Sequence, residues 1–551
     1  MQDLKPSSTE EQVEFCPIAT TESTTRKHDG TVQLTSDQGV ILIPTPSADP
    51  RDPLNIPLWN KLIILSTTCL YSTMGLTAVS GLGGMLTYFI PGYAAQGKTY
   101  ADISALMTYP SLFMGIGNVI SMPLALALGR RPVFLVSCVV QVVSLILCAT
   151  NQSYAWHFAA RCILGLAAGQ SEALCPLMIS EVFFLHERAR YQQLFSSIQT
   201  VISGTLIILT SYIAATIGWR AWYYLFAGLS GCVLILAIFF VPETKYVRPL
   251  TAYKGTTIEH GNPSSLVPSS DPENAKQSDR VITVNDERIL DTVNYFPRTL
   301  KSNLQIFVNK PDWSEAIHCL KHMLQLFFFP NVFWVFSMNG IFLGVNIAMG
   351  LTYGNILSGP FHWADKYISV AMAGQIVVAF LCVPMLGYGS DFIVKFMARR
   401  NGGVHEPEHR LLTLIVPLLL GIMFVVIYGQ AATFPERYHW LAIVFSINGY
   451  YFTFIGANTA GITYLLDAYP TRAASSLVVL CAMRGVISFC LSYGTVSLYS
   501  KYGYDGAFGL FGGITSIFGA LGLLVYFTGK QIRRFVSPWT AVEDVGKPSM
   551  G

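Results

Sequence analysis

Arg161, Glu172 and Arg484 stand deep inside long apolar stretches that otherwise carry almost no charge. A charged side chain costs about 2.5–3.5 kcal/mol at the centre of a membrane-inserted helix, so such residues mark a pathway or a pairing. Of the three, only Glu172 titrates, and a low-dielectric surrounding favours the neutral form of a carboxyl, which suits a group that binds and releases a proton. Arg484 keeps its proton in practice, so it must be paired or must meet an anionic substrate. The expectation is that Glu172 and Arg484 face each other across or near a cavity and compete with substrate for each other. A permanent contact of Arg484 with backbone or Asn side chains is the alternative.

Arg161 and Glu172 are eleven residues apart. At about 100° per residue they fall within roughly 20° of one helix face, displaced by about 16 Å along the axis. Gly165 and Gly169 lie near that face. A stripe that is charged at both ends and small between them belongs against a cavity or a partner helix rather than lipid. For Arg161 a static hydrogen-bond clamp to neighbouring helix carbonyls is one reading.

The elements that must position these residues are transmembrane helices. Of 551 residues 52% are hydrophobic and only 12% charged, with a mean hydropathy of +0.46; a soluble domain is nearer a quarter charged. The net charge of +3 is too small and dispersed for nucleic acid. A span needs roughly 20 apolar residues. Spans are expected near 62–88, 103–128, 132–150, 154–179, 194–217 and 221–241, and again near 331–357, 367–390, 411–431, 439–466, 473–499 and 507–529. No cleavable signal peptide is expected in residues 1–50, which are polar and read as a disordered tail. The organisation is a tail over 1–60, a six-helix bundle over 61–241, a connector over 242–330, a second bundle over 331–529 and a tail over 530–551. Within the connector, Thr256–Asp279 reads as flexible. Near its end Ile317, Leu320, Met323, Leu324 and Phe327 recur at helical spacing. That stripe suits a helix on the membrane surface or against the base of the bundles.

Twenty-eight of the 35 Lys and Arg fall in segments on one side, and five (Lys98, Arg220, Lys366, Arg437, Lys501) in loops on the other. The positive-inside bias then puts both termini in the cytosol. Nine of the 11 cysteines sit in apolar stretches and none in an external loop, so a disulfide framework is not expected. No metal cluster, cofactor signature, nucleophile–base pair or phosphate loop is present, which argues against an enzyme. Asn151-Gln152-Ser153 is a glycosylation sequon in a turn too close to the bilayer to be used.

The two sets of six echo each other: span 2 ends in Gly129-Arg130-Arg131, span 8 in Gly387, Asp391 and Arg399-Arg400. Glu181 with Arg188 follows span 4, and Asp467 with Arg472 follows span 10. Duplicated six-span halves with a site between them are the architecture of many secondary transporters. Arg130, Arg131, Glu181, Arg188, Asp391, Asp467 and Arg472 are the candidate cytosolic gate, forming pairs that hold an outward-facing state. Asn339, Asn346, Tyr353, Asn448 and Tyr451 join Arg484 as the candidate substrate cavity, since aromatic walls with a few polar groups suit small organic molecules.

Five runs carry a family resemblance: Asp49-Pro50-Arg51-Asp52-Pro53-Leu54-Asn55; Pro123 to Pro132 around Gly129-Arg130-Arg131; Arg161 with Gly165 and Gly169; Gly218-Trp219-Arg220; and Pro242-Glu243-Thr244-Lys245. Over roughly residues 49–530 the chain resembles the major facilitator superfamily, more narrowly its fungal twelve-span branch related to drug:proton antiporters. The resemblance implies an all-α membrane protein of 12 transmembrane helices in two pseudo-symmetric six-helix bundles. It also implies a role for Arg161, with Glu172, in proton coupling. Two departures stand out. The family's Asp-Arg before Gly-Arg-Arg is replaced by Leu126-Ala127, which weakens the usual ion-pair latch in this half. Its Gly-Pro kink in span 5 is replaced by Leu206-Ile207, with Gly204 nearby and no proline.

The expected function is proton-coupled efflux of a drug, toxin or secondary metabolite by a plasma-membrane monomer whose partners are its small-molecule substrate, protons and the lipid bilayer. The alternatives are proton-coupled uptake of a nutrient or polyamine, and a non-transporting sensor.

Overall fold

The computed structural model describes residues 35–36, 39–40, 42, 44–151, 153–246, 303–308, 310–400, 406–469 and 472–544. The segment Thr256–Asp279 and most of the two tails lie outside these residues. Eleven helical segments among the described residues are long and apolar enough to cross a membrane. The last, Ala474–Val536, has 63 residues, about 95 Å of straight helix, far more than one hydrocarbon thickness. Gly503, at φ 74° and ψ 172°, interrupts it. Its two arms are spans 11 and 12, so the chain is an all-α membrane protein of twelve spans in two pseudo-symmetric bundles of six. An even number of crossings leaves the N-terminal segment, the connector and the C-terminal helix on one face, here called the basic face.

Three spans differ from the periodicity reading in instructive ways. Span 1 is helical over Leu58–Ser80, tightens to a 3-10 turn at Gly81–Met85 and resumes over Leu86–Ala94. Three glycines in that turn lower the barrier to leaving the α-helix. Span 5 is one helix, Leu185–Thr216, of 32 residues, as expected of a segment without proline. Span 8 is a 3-10 helix at Asp365–Ala373, an α-helix at Gly374–Cys382, a π turn at Val383–Tyr388 and an α-helix at Gly389–Arg400. Pro384, which has no N–H to donate, stands in the π turn.

Span 7, Pro330–Ser358, is the most buried span among the described residues and packs chiefly against the long segment that forms spans 11 and 12. Between the halves, span 2 lies along span 11 and span 5 along span 8. On the face opposite the basic one, the halves close on each other. A Cβ at Gly83 would stand 2.3 Å from the Gly350 carbonyl oxygen. The Ser211 hydroxyl lies 2.5 Å from that of Ser369 and donates to the Gly84 carbonyl, and Tyr100 donates to the Leu351 carbonyl at 2.8 Å. These contacts are neutral, so the seal can open without separating charges.

The connector helix Trp313–Phe327 is capped by Asp312, whose carboxylate accepts from the Ser314 N–H at 2.9 Å. Ala316, Cys319, Met323 and Leu326 are buried against the bundles. Ile317 and Leu324, each 65% exposed, and Leu320 turn away from them. The apolar stripe read from spacing is therefore divided: Met323 docks and its neighbours on the next face do not.

Candidate functional site

Glu172 and Arg484 form an ion pair, and the pair joins the two halves: Glu172 stands in span 4 and Arg484 in span 11. The Arg484 guanidinium also donates to the Asn458 side-chain oxygen at 2.6 Å, a partner from span 10. The Cys481 thiol reaches the Glu172 backbone carbonyl at 3.5 Å. Arg484 is 2% exposed and its Nε has no hydrogen-bond partner among the described residues. A guanidinium binds a carboxylate through charge-assisted hydrogen bonds, and here that carboxylate is Glu172. The Glu172 side chain keeps 14% of its surface, so it is the accessible member of the pair.

Arg161 is fully buried and occupied by backbone. Its Nε donates to the Leu106 carbonyl at 2.9 Å, one terminal nitrogen to Ala78 and the other to Val79 at 2.8 Å. Ala78 and Val79 close the helical part of span 1 just before its 3-10 turn. Carbonyls at a helix end lack intrahelical donors, and a cation there is favourable. Arg161 thus ties the broken end of span 1 to span 2. Gly165 and Gly169 face span 2, where a Cβ would fall 2.6 Å from the Pro110 and 2.5 Å from the Met114 carbonyl oxygen. The small stripe is a helix-packing seam.

The polar and aromatic candidates separate. Asn339 is buried and donates to its own helix at Val335, with a Cβ at Gly461 falling 2.5 Å from its Nδ2. Asn448 donates to the Ala371 and Val444 carbonyls and binds span 10 to span 8. Tyr353 is buried in the seal, its ring and hydroxyl against Gly83 and Gly84. All three make helix-packing contacts in this arrangement. Asn346 is half-buried. Tyr451, also half-buried, packs against the cluster of Val378, Cys382 and Leu386 in span 8.

At the basic face the carboxylates reach arginines on neighbouring helices. Glu181 pairs with Arg130 at 2.7 Å and accepts from the Thr244 hydroxyl, and Asp467 pairs with Arg410. Arg472 donates to the Gln325 side chain at 2.7 Å. The side chains of Arg188 and Asp391 lie outside the described ones. Each of these bonds ties one helix end to another element of the same half. Nearby, the hydrogen bond from the Lys530 ammonium holds the Glu406 carboxyl below its ordinary range.

A different latch replaces the missing Asp-Arg. The Glu243 carboxylate accepts the N–H groups of Arg130 and Arg131 at 2.9 and 3.2 Å and so caps span 3, while the Arg131 guanidinium donates to the Ile238 carbonyl. Lys245 donates to the Leu126 carbonyl and pairs with Glu315 at 2.7 Å, and the Asp312 N–H donates to the Ala127 carbonyl. The Leu126-Ala127 segment is therefore held through its backbone by the connector. Gly129 permits it, with φ 117° and a would-be Cβ 2.3 Å from the Glu243 carboxylate. Gly129→Ala should lower stability by about 2 kcal/mol or more through strain and a lost cap, read as earlier thermal unfolding in detergent than the wild type.

His157 escaped the charge count and is the main polar residue that sequence reasoning missed. It is fully buried, and its ring nitrogens meet the Tyr93 and Tyr223 hydroxyls at 2.8 and 2.9 Å. The available signal was its place one turn before Arg161.

A profile of the Major Facilitator Superfamily matches residues 69–493. An uncharacterized MFS-type transporter of Schizosaccharomyces pombe is 23% identical, over 92% of this chain and 90% of its own. The protein HOL1 of Saccharomyces cerevisiae is 22% identical over 92% of each chain. The MFS-type transporter penM of Penicillium rubens is 24% identical over 88% of each. Among solved structures, the human organic anion transporter MFSD10 and a partially occluded inward-open form of the E. coli xylose transporter XylE each superpose with a TM-score of 0.53. They have 13% and 15% identity, and each alignment covers 85% of this chain, with 100% and 98% of theirs. Fold, family profile and relatives agree: the chain belongs to the major facilitator superfamily and is an integral, multi-pass membrane transporter.

Proposed function

We propose that this chain exports a small organic molecule in exchange for protons, by alternating access across the plasma membrane, as a monomer with both termini in the cytosol. The observation that carries this reading is the ion pair between Glu172 and Arg484, which links the two halves through a titratable group. While Glu172 is ionised it holds Arg484. A proton on Glu172 neutralises the carboxylate and frees the guanidinium for an anionic or strongly accepting group on the cargo, with Asn458 steadying it. Loss of the proton restores the pair and expels the cargo. Proton and cargo thus compete through one arginine. Arg161 supports the cycle as the clamp at the break in span 1, and the basic-face pairs Arg130–Glu181 and Arg410–Asp467 hold each half rigid as it rocks. The excess of Lys and Arg on the basic face supports its cytosolic orientation.

One observation favours a second reading, proton-coupled uptake of a nutrient or polyamine: span 5 is a single unbroken helix without the proline of the family's antiporters. Purified protein in vesicles loaded with candidate solutes distinguishes the two. Solute efflux with proton entry is the expected result, and solute and proton moving together in one direction would establish symport instead.

A further inference from the structure

We infer that this chain carries a second small-molecule site, away from Glu172 and Arg484, that takes a one-ring aromatic carboxylate. The site is a cavity of about 210 Å³ in the N-terminal half, at the face opposite the basic one. Its wall includes Phe89, Gly92 and Gln96 from the end of span 1, Asn151 from the turn after span 3, and Trp219-Arg220 from the start of span 6.

Size and chemistry agree on the ligand. A cavity of about 150 Å³ accommodates benzene, so this one has room for a ring and a carboxylate. The Phe89 and Trp219 rings meet edge to face at 5.0 Å and offer an aromatic wall. Arg220 is the one charged residue among the lining residues, and its guanidinium is fixed over Trp219 at 5.0 Å with one nitrogen donating to the Asn151 carbonyl at 3.1 Å. A pre-oriented guanidinium matches a carboxylate. Gln96 accepts the Tyr154 N–H at 3.2 Å through its side-chain oxygen, which leaves its amide N–H groups as further donors.

The wall is built on a rigid base. Asn151 is 4% exposed and donates to the Tyr93 hydroxyl, which meets buried His157, which in turn meets Tyr223 and stacks on Trp219. This network accounts for a buried histidine that the proton–cargo exchange leaves unused. It also buries the Asn151 side chain, so the sequon there serves the cavity wall. The end of span 1 continues from this cavity through its 3-10 turn into the seal between the halves.

Benzoate is the probe, measured by calorimetry on the full chain in nanodiscs, with benzyl alcohol as the uncharged comparison. Benzoate should bind the wild type at least about tenfold more tightly than benzyl alcohol, the scale of a charge-assisted hydrogen bond. Gly92→Leu fills the cavity gently, since a Cβ at Gly92 meets nothing within 4 Å, and it should weaken benzoate about tenfold or more. Arg220→Gln should weaken benzoate similarly while leaving benzyl alcohol unaffected. The double replacement Glu172→Gln with Arg484→Met, which removes the guanidinium of the transport site, should change neither. Absence of benzoate binding to the wild type overturns the inference, as does a Gly92→Leu protein that binds it normally. Loss of benzoate in that double variant but not in Gly92→Leu assigns binding to the transport site and overturns it equally.

Discussion

Arg484→Met should abolish transport and destabilise the protein more than the double replacement Glu172→Gln with Arg484→Met. Arg484 is 2% exposed and is paired with Glu172 from the other half and with Asn458. Removing the cation leaves the Glu172 carboxylate without its partner between two apolar helices. Breaking a buried pair from one side costs about 3–5 kcal/mol, whereas replacing both members by neutral groups is often close to neutral. The double variant should therefore recover most of the lost stability, with a coupling energy of about 1–3 kcal/mol between the two sites. It should recover no transport, because neither the proton carrier nor the anion site remains. Thermal unfolding in detergent and uptake into vesicles, run on the two single variants and the double, measure both quantities. Simple additivity of the stability losses would mean that the pair is not an energetic unit.

The second large effect belongs to Arg161→Lys. The guanidinium reaches three carbonyls on two helices, Leu106 on span 2 and Ala78 and Val79 at the break in span 1. An ammonium on a flexible stem cannot reproduce that fork. Each buried carbonyl left without a donor costs about 1–3 kcal/mol, so a loss of about 2–4 kcal/mol is expected, with Arg161→Met worse. The same variant separates the clamp from a direct part in coupling. A clamp predicts that lowered stability and lowered transport travel together, and that whatever transport persists stays fully coupled to protons. A stable Arg161→Lys protein that moves solute without protons would instead make Arg161 a coupling residue.

Much of the site was legible because the membrane makes charge conspicuous. Glu172 and Arg484 stood out in apolar windows, and their complementary charges implied the contact that the structure contains. Spacing could not supply Arg161's partners, since backbone carbonyls leave no trace in a sequence and the break at Gly81–Met85 creates two of them. The partners of the basic-face carboxylates were out of reach for a related reason. Arg410 reaches Asp467, and Arg130 reaches Glu181, across bundles whose packing fixes the neighbours. Asn339 and Asn448 show the limit of reading polar residues in apolar spans, because the same side chain can line a cavity or bind two helices. Twelve crossings were legible from length and hydropathy. The irregular course of span 8 was not, beyond the presence of Pro384.

The central claim is that the Glu172 carboxyl carries the proton whose arrival frees Arg484. The most direct measurement is internal pH in vesicles containing Glu172→Gln, supplied with the cargo that the loaded-vesicle experiment identifies. A glutamine keeps the size and the hydrogen-bonding oxygen while it can neither gain nor lose the proton. The account predicts that the variant still exchanges cargo across the membrane at equal concentrations, yet moves no protons and builds no gradient. Proton movement per cargo molecule unchanged from the wild type would contradict it.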